Sequence, residues 1–148
     1  MREELKERLI RHLRFLEEEL SDYPLFESLS WEEYSTNRSK RREVERWVEN
    51  LVNSSIDIAK LILSLEEIEV PQTYRAIVSL LGSVEGFDKR NAEELARYVR
   101  LRNVIAHEYL DVKWNSIRRF ILQSEALYGR LVDEVRKYLG KLLDEEAS

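Results

Sequence analysis

Apolar residues in this chain recur at steps of three and four along most of its length. Leu5, Leu9, Leu13, Leu16 and Leu20 mark one such run, an amphipathic helix over Arg2 to Leu20. A break follows from Ser21 to Ser30, around Pro24. Ser30-Trp31-Glu32-Glu33 then has the form of a capping box opening a second helix. That helix is expected to reach about Leu65, kinked or frayed between Ser35 and Ser39. Its seam is Val44, Val48, Leu51, Ser55, Ile58, Ile62 and Leu65, alternating fours and threes without a gap, and the small Ser55 permits close helix approach. Pro71 suits the first turn of a third helix that Gly86 ends. Asn91 is placed to cap a fourth, Ala92 to about Leu110, and Asp111 or a neighbour opens a long fifth. The fifth seam is Trp114, Ile117, Ile121, Ser124, Tyr128, Leu131, Val135, Tyr138 and Leu142. Apolar residues never alternate with period two, so no strand is predicted. Two long seams of this kind pack near-parallel, which predicts an all-α, up-and-down bundle of four or five helices.

Composition narrows this picture without redirecting it. The 148 residues make one domain, 1–148, with about the last five expected to fray. Four Gly and two Pro leave few turns and favour long helices. With no cysteine and two histidines, neither a disulfide framework nor a thiolate or His-rich metal site is expected, so neither metal nor cofactor is assigned. The start, MREELKERL, lacks the apolar core of a signal peptide, and no apolar run reaches the roughly 20 residues needed to cross a bilayer. The expectation is a soluble, cytoplasmic protein without a membrane partner. A net charge of −5, with 24 basic and 29 acidic side chains, argues against a generic nucleic-acid coat but leaves room for a local basic groove.

The chemistry concentrates in Arg102-Asn103-Val104-Ile105-Ala106-His107-Glu108-Tyr109, which holds one of the two histidines together with a fixed cation, an amide and a phenol. The order Arg, polar residue, any three, His, any, Tyr resembles the signature of HEPN domains, and more narrowly that of HepT-like toxin ribonucleases. The resemblance implies an all-helical two-fold dimer that cleaves RNA without metal, with Arg102 and His107 essential and Tyr109 added in the HepT-like subset. It also implies a cognate minimal nucleotidyltransferase antitoxin that silences the toxin by transferring AMP onto Tyr109.

On a helical wheel, Ala92, Val99, Ala106 and Leu110 form the inner stripe of the fourth helix, with Asn103 near its centre. Arg102 and His107 lie on the two flanks, and Leu101, Val104 and Ile105 make an apolar opposite face. An apolar outer face asks for cover, which a second copy of the chain can give. A two-fold axis near this helix would bring two guanidiniums and two imidazoles to one cleft. One imidazole then serves as base for the 2′-hydroxyl and the other as acid for the 5′-oxygen, since histidine titrates near neutrality. Arg102 supplies bidentate donors to the phosphate. Asn103 is placed to orient the ring or contact phosphate, and Tyr109 to bind substrate.

Simpler readings stand beside these. His107 taken alone reads as a hydrogen-bonded boundary histidine, Arg102 as the partner of Glu108 or another acid, Asn103 as a buried specificity device, and Tyr109 as core. His12 edges the core and reads as structural. Arg97 and Arg100 are candidates for guiding a phosphate backbone. The denser cluster Arg38, Lys40, Arg41, Arg42 and Arg46 reads at least equally as a solvated face balanced by Glu43 and Glu45. Trp31, Trp47 and Trp114 read as packing residues, and Glu66-Glu67 as surface. Three functions follow in order: an endoribonuclease toxin, a non-catalytic nucleotide-binding and AMP-accepting partner of a nucleotidyltransferase, and a structural helical dimer.

Overall fold

In a computed structural model describing residues 1–147, every regular element is helical. The first helix, α1, spans Arg2–Ser21 and buries Leu9, Leu13 and Leu16. Asp22 ends it and at once starts a five-residue helix, α2 (Tyr23–Glu27), within the predicted break, with Pro24 in the first turn, where no N–H is missed. The capping box forms as the sequence predicts: Glu33 N–H donates to Ser30 Oγ, and the Glu33 side chain accepts from the Ser30 N–H. It starts α3 (Trp31–Thr36) rather than one helix running to Leu65. The chain breaks at Asn37, whose side chain takes the N–H of Lys40 and caps a separate helix, α4 (Arg38–Leu65). The cause is local, because an asparagine that caps the next turn is held extended and cannot continue the previous one.

Two boundaries further on differ from expectation for similar reasons. α5 (Tyr74–Leu80) is capped by Thr73, which accepts from Ala76 N–H, so Pro71 lies ahead of the helix and not in its first turn. A 3₁₀ turn at Leu81–Ser83 follows, and Gly86 adopts φ +93° in the loop beyond it. α6 (Lys89–Arg97) is capped by Asp88, not Asn91; Asp88 accepts the Asn91 N–H, while the Asn91 side chain is buried and donates to Leu127 O at 3.1 Å. A second 3₁₀ turn, Tyr98–Arg100, separates α6 from α7 (Leu101–His107). Glu108 and Tyr109 link α7 to α8 (Leu110–Ala147). That helix of 38 residues, about 57 Å long at 1.5 Å per residue, continues through the segment expected to fray; Ser148 lies outside the described residues.

Cross-helix contacts fix the directions. Arg2 meets Leu65 O, His12 faces Asp57, and Trp47 Nε1 donates to Glu19 O at 2.7 Å, so α1 and α4 run antiparallel. Arg136 with Glu17, and Lys6 with Glu146, make α1 and α8 antiparallel as well. Asn91–Leu127 and Tyr98–Gln123 do the same for α6 and α8. The result is the expected all-α, up-and-down bundle. Both long seams are buried throughout, from Val44 to Leu65 and from Trp114 to Leu142. Phe26, Trp47, Phe120 and Tyr98 stack through the core, with ring centroids 4.8 to 5.7 Å apart. Trp31 departs from the packing expectation: it is 44% exposed at the rim, beside Tyr34. Of the basic cluster, Lys40 pairs with Glu33, and Arg41 donates to the carbonyls of Tyr34 and Ser35, closing the end of α3.

The wheel prediction for the motif helix requires correction. Ala92 is buried, but Val99 and Leu110 are only half-buried, and Ala106 and Asn103 are exposed. The buried side carries Leu95, Tyr98, Leu101 and Ile105 instead. A 3₁₀ turn advances about 120° per residue against 100° in an α-helix, so Tyr98–Arg100 shifts the phase by roughly 60°. Larger Leu101 and Ile105 then win the core over Ala106. The apolar outer face that called for a second copy as cover is in this way the inner face of the bundle.

Candidate functional site

The motif rides on α7, whose inner residues Leu101 and Ile105 anchor it to α4 and α8. Arg102, beside that anchor, leans toward the N-terminal end of α5. Its guanidinium carbon lies 4.7 Å from the centroid of the Tyr74 ring, and Lys60 Nζ reaches the same ring at 4.8 Å. Such cation–aromatic contacts hold a planar guanidinium in register while leaving N–H groups at its edge. A cleft of about 210 Å³ opens here, lined by Asn53, Ile56, Asp57 and Lys60 of α4, with Tyr74 and Arg102. Asn53, Asp57 and Lys60 fall at i, i+4 and i+7, one face of α4. Asp57 also faces His12, whose Nδ1 is 4.0 Å from the Asp57 carboxylate. His12 is half-buried at the core edge, as its spacing predicts.

His107 is the last residue of α7 and is exposed. Five positions after Arg102, it lies about 140° around the helix from it, and no hydrogen bond or ion pair joins the two among the described residues. Tyr109 stands in the link before α8, 84% exposed, which removes the core reading of that residue. Asn103 is exposed as well, so it is not a buried specificity device. Arg102 makes no pair with Glu108 among the described residues; the Glu108 N–H instead closes α7 on Val104 O at 3.0 Å. One chain in this way presents the guanidinium in a cleft and the imidazole and phenol at the adjoining helix end, but does not bring them into contact.

Arg97 and Arg100 are set apart from Arg102. They line a different cleft, bounded by α5, the Tyr98–Arg100 turn and the first turns of α8. Beside them Tyr98 donates to Gln123 Oε1 at 2.9 Å, and burial, helped by Glu94, pushes its phenol up to about 12.

Asn53, Asp57, Lys60 and Tyr74 were not singled out from the sequence. The first three carry a usable signal: a polar stripe along a helix whose other positions from Leu51 to Leu65 are almost all apolar or buried. Tyr74 carries none, since its contact with Arg102 is made only by the fold. Glu66 and Glu67 are exposed, and Glu66 accepts a hydrogen bond from Tyr138 at 2.7 Å.

Comparison with known proteins adds three findings. A family model described as "Ribonuclease HepT-like" matches residues 6–135. A protein named tRNA nuclease HepT, from Aphanizomenon flos-aquae (strain 2012/KM1/D3), is 29% identical over 124 residues, covering 81% of this chain and 82% of that protein. Two solved structures share the fold at 16% identity: a mutant MntA-HpeT toxin–antitoxin complex, and a tri-AMPylated Shewanella oneidensis HEPN toxin in complex with an MNT antitoxin. Their TM-scores are 0.76 and 0.75, each covers 87% of this chain, and 97% and 96% of the respective solved chains are matched.

Proposed function

The chain belongs to the ribonuclease HepT-like family, and on that premise we propose that it is a metal-independent endoribonuclease acting as the toxin of a toxin–antitoxin pair. The observation that carries the reading is Arg102, seated on Tyr74 at a cleft mouth, with His107 and Tyr109 free at the end of the same short helix. In the reaction, one imidazole takes the proton of the 2′-hydroxyl as its oxygen attacks phosphorus. The bond to the 5′-oxygen breaks, and that oxygen is protonated by a second imidazole, giving a 2′,3′-cyclic phosphate and a 5′-hydroxyl. Arg102 donates from its guanidinium edge to the phosphate oxygens as their charge builds. Asn103 contacts the phosphate or orients the ring.

A single chain offers one motif histidine, so this mechanism uses a homodimer in which each subunit lends an Arg102–His107 pair to a common cleft. The support is the family and the exposed face of Asn103, Ala106 and His107, which is available for a two-fold partner. Sedimentation at micromolar concentration is expected to give a dimer, and a monomer removes the second imidazole.

The experiment on activity is cleavage of RNA by purified protein in EDTA. Wild type is expected to leave cyclic-phosphate ends, and His107→Ala to lose about 100-fold or more in rate, the usual scale for a general acid or base. Undiminished cleavage by His107→Ala would overturn the assignment.

A second reading is favoured by Tyr109, whose exposed hydroxyl makes no hydrogen bond among the described residues. It suits an acceptor: its oxygen attacks the α-phosphorus of ATP, pyrophosphate leaves, and the proton passes to a base on the partner nucleotidyltransferase. On the toxin this is the silencing step, and in the non-catalytic alternative it is the whole function. Clean protein that never cleaves RNA but gains AMP mass on co-expression with the partner would select the latter. The third reading, a purely structural dimer, requires that loss of Arg102, His107 and Tyr109 together leaves cell growth and folding unchanged.

A further inference from the structure

The cleft on the other side of α7's start has a different character. It encloses about 380 Å³, and Arg75, Arg97, Arg100 and Arg119 line it against a single acid, Glu94. Glu94 is occupied by Arg97 at 3.3 Å. Arg75, Arg100 and Arg119 have no ion pair among the described residues and are exposed. What sets the cleft apart is convergence: four guanidiniums line one concavity with Glu94 as the only carboxylate among its lining residues, so its walls are locally positive in a chain of net charge −5. Gln123 lines the same cleft with its carbonyl oxygen taken by Tyr98, and its amide N–H groups have no hydrogen-bond partner among the described residues.

We propose that this arginine cleft binds the phosphodiester backbone of the RNA substrate, as a positioning site separate from the reacting groups. The inference rests on the ribonuclease reading and extends it. Consecutive residues link the two clefts: Tyr74 supports Arg102 on one side of the α5 N-terminal end while Arg75 faces the other. Arg100 and Arg102 flank Leu101 in the same way. A strand held by forked guanidinium donors in the one cleft is in this manner led toward the other. Contacts to phosphate alone make the site indifferent to base sequence, so it contributes affinity and register rather than choice of cleavage point.

The test is binding of a fluorescein-labelled single-stranded RNA, followed by anisotropy between about 50 and 300 mM KCl. Measurement in the His107→Ala background keeps the RNA intact. Three proteins are compared: the parent, Arg75→Gln/Arg100→Gln/Arg119→Gln, and a control with the same charge change elsewhere, Arg14→Gln/Arg90→Gln/Lys141→Gln. Each lost phosphate contact lowers the salt slope by about 0.7 for single strands, so the cleft variant is expected to lose about 2 units of slope. It should also bind at least tenfold more weakly at about 100 mM salt, with the control near the parent. In the His107-intact enzyme the same three changes should raise KM while leaving kcat within about twofold. Equal slopes for cleft variant and control overturn the proposal, as does absence of RNA binding by the parent. A cleft variant that binds RNA normally but loses the nucleotidyltransferase partner also overturns it, and gives the cleft to a protein. If the slopes separate while no form of the protein cleaves RNA, the phosphate site stands and the catalytic reading falls.

Discussion

Arg102 lies against the ring of Tyr74, and that contact decides how its charge can be used. A guanidinium stacked on an aromatic face keeps a fixed plane, so its edge donors arrive at phosphate already oriented. Arg102→Lys is therefore expected to lower kcat/KM by about 100-fold, because an ammonium has neither the plane nor the fork. Tyr74→Phe keeps the ring and should stay near wild type. Tyr74→Ala gives up about 1 kcal/mol of cation–aromatic attraction, so it should cost about fivefold in kcat/KM. Equal activity of the Phe and Ala variants would show that the ring does not position Arg102. At this scale the sequence offers candidates where polar groups stand in one stretch, as in Arg102 to Tyr109, and the family their pattern resembles is the one whose model matches the chain. It was silent on Tyr74, because a contact between two helices distant along the chain leaves no spacing to read. Arg97 and Arg100, close in sequence to Arg102, face another cleft, the one proposed for the RNA backbone, which spacing alone does not separate from that of Arg102.

The helices themselves followed from periodicity, and several of their ends did not. Both long seams are buried position for position, since a run of fours and threes constrains an entire face. The breaks depend on single side chains choosing between capping and continuing, as Asn37, Thr73 and Asp88 do. Glu67 is a case with a measurable cost. It ends α4 in the left-handed region at φ 58°, while Ile68 N–H reaches back to Leu63 O at 2.9 Å. That closing geometry suits glycine, and a side chain there costs about 1 to 2 kcal/mol. Glu67→Gly is expected to raise stability by about 0.5 to 1 kcal/mol in urea unfolding, net of the greater freedom of the unfolded chain. An unchanged or lower midpoint would mean that the Glu67 backbone is not strained.

For the molecule as a whole, burial of tyrosines sets the alkaline limit. Tyr34, Tyr98, Tyr128 and Tyr138 all have phenols held above their ordinary value, chiefly by removal from water. In the unfolded chain they ionise near pH 10. Above that pH the unfolded state loses protons that the folded state keeps, so stability must fall as pH rises. For Tyr98 the fall runs from about 10 to about 12. Lys6 acts in the same sense: hydrogen bonds to Glu146 and Glu3 raise its value, and the benefit, present at lower pH, is lost at high pH. Urea midpoints should accordingly drop between about pH 9.5 and 11.5, by at most roughly 1.4 kcal/mol per pH unit for each tyrosine. Tyr98→Phe should flatten part of the drop, and a flat profile in wild type would contradict the burial argument.

α7 has seven residues, bounded by a 3₁₀ turn and a two-residue link, and only Leu101 and Ile105 tie it to the core. So short a helix has almost no stability of its own. Deuterium uptake at Val104 to Tyr109 is expected to run well ahead of uptake along α4 and α8, and equal protection would refute this. The groups to which the proposed mechanism assigns the reaction are thus mounted on a piece that can come loose by itself. Whatever grips that piece governs the chemistry without prising the bundle apart.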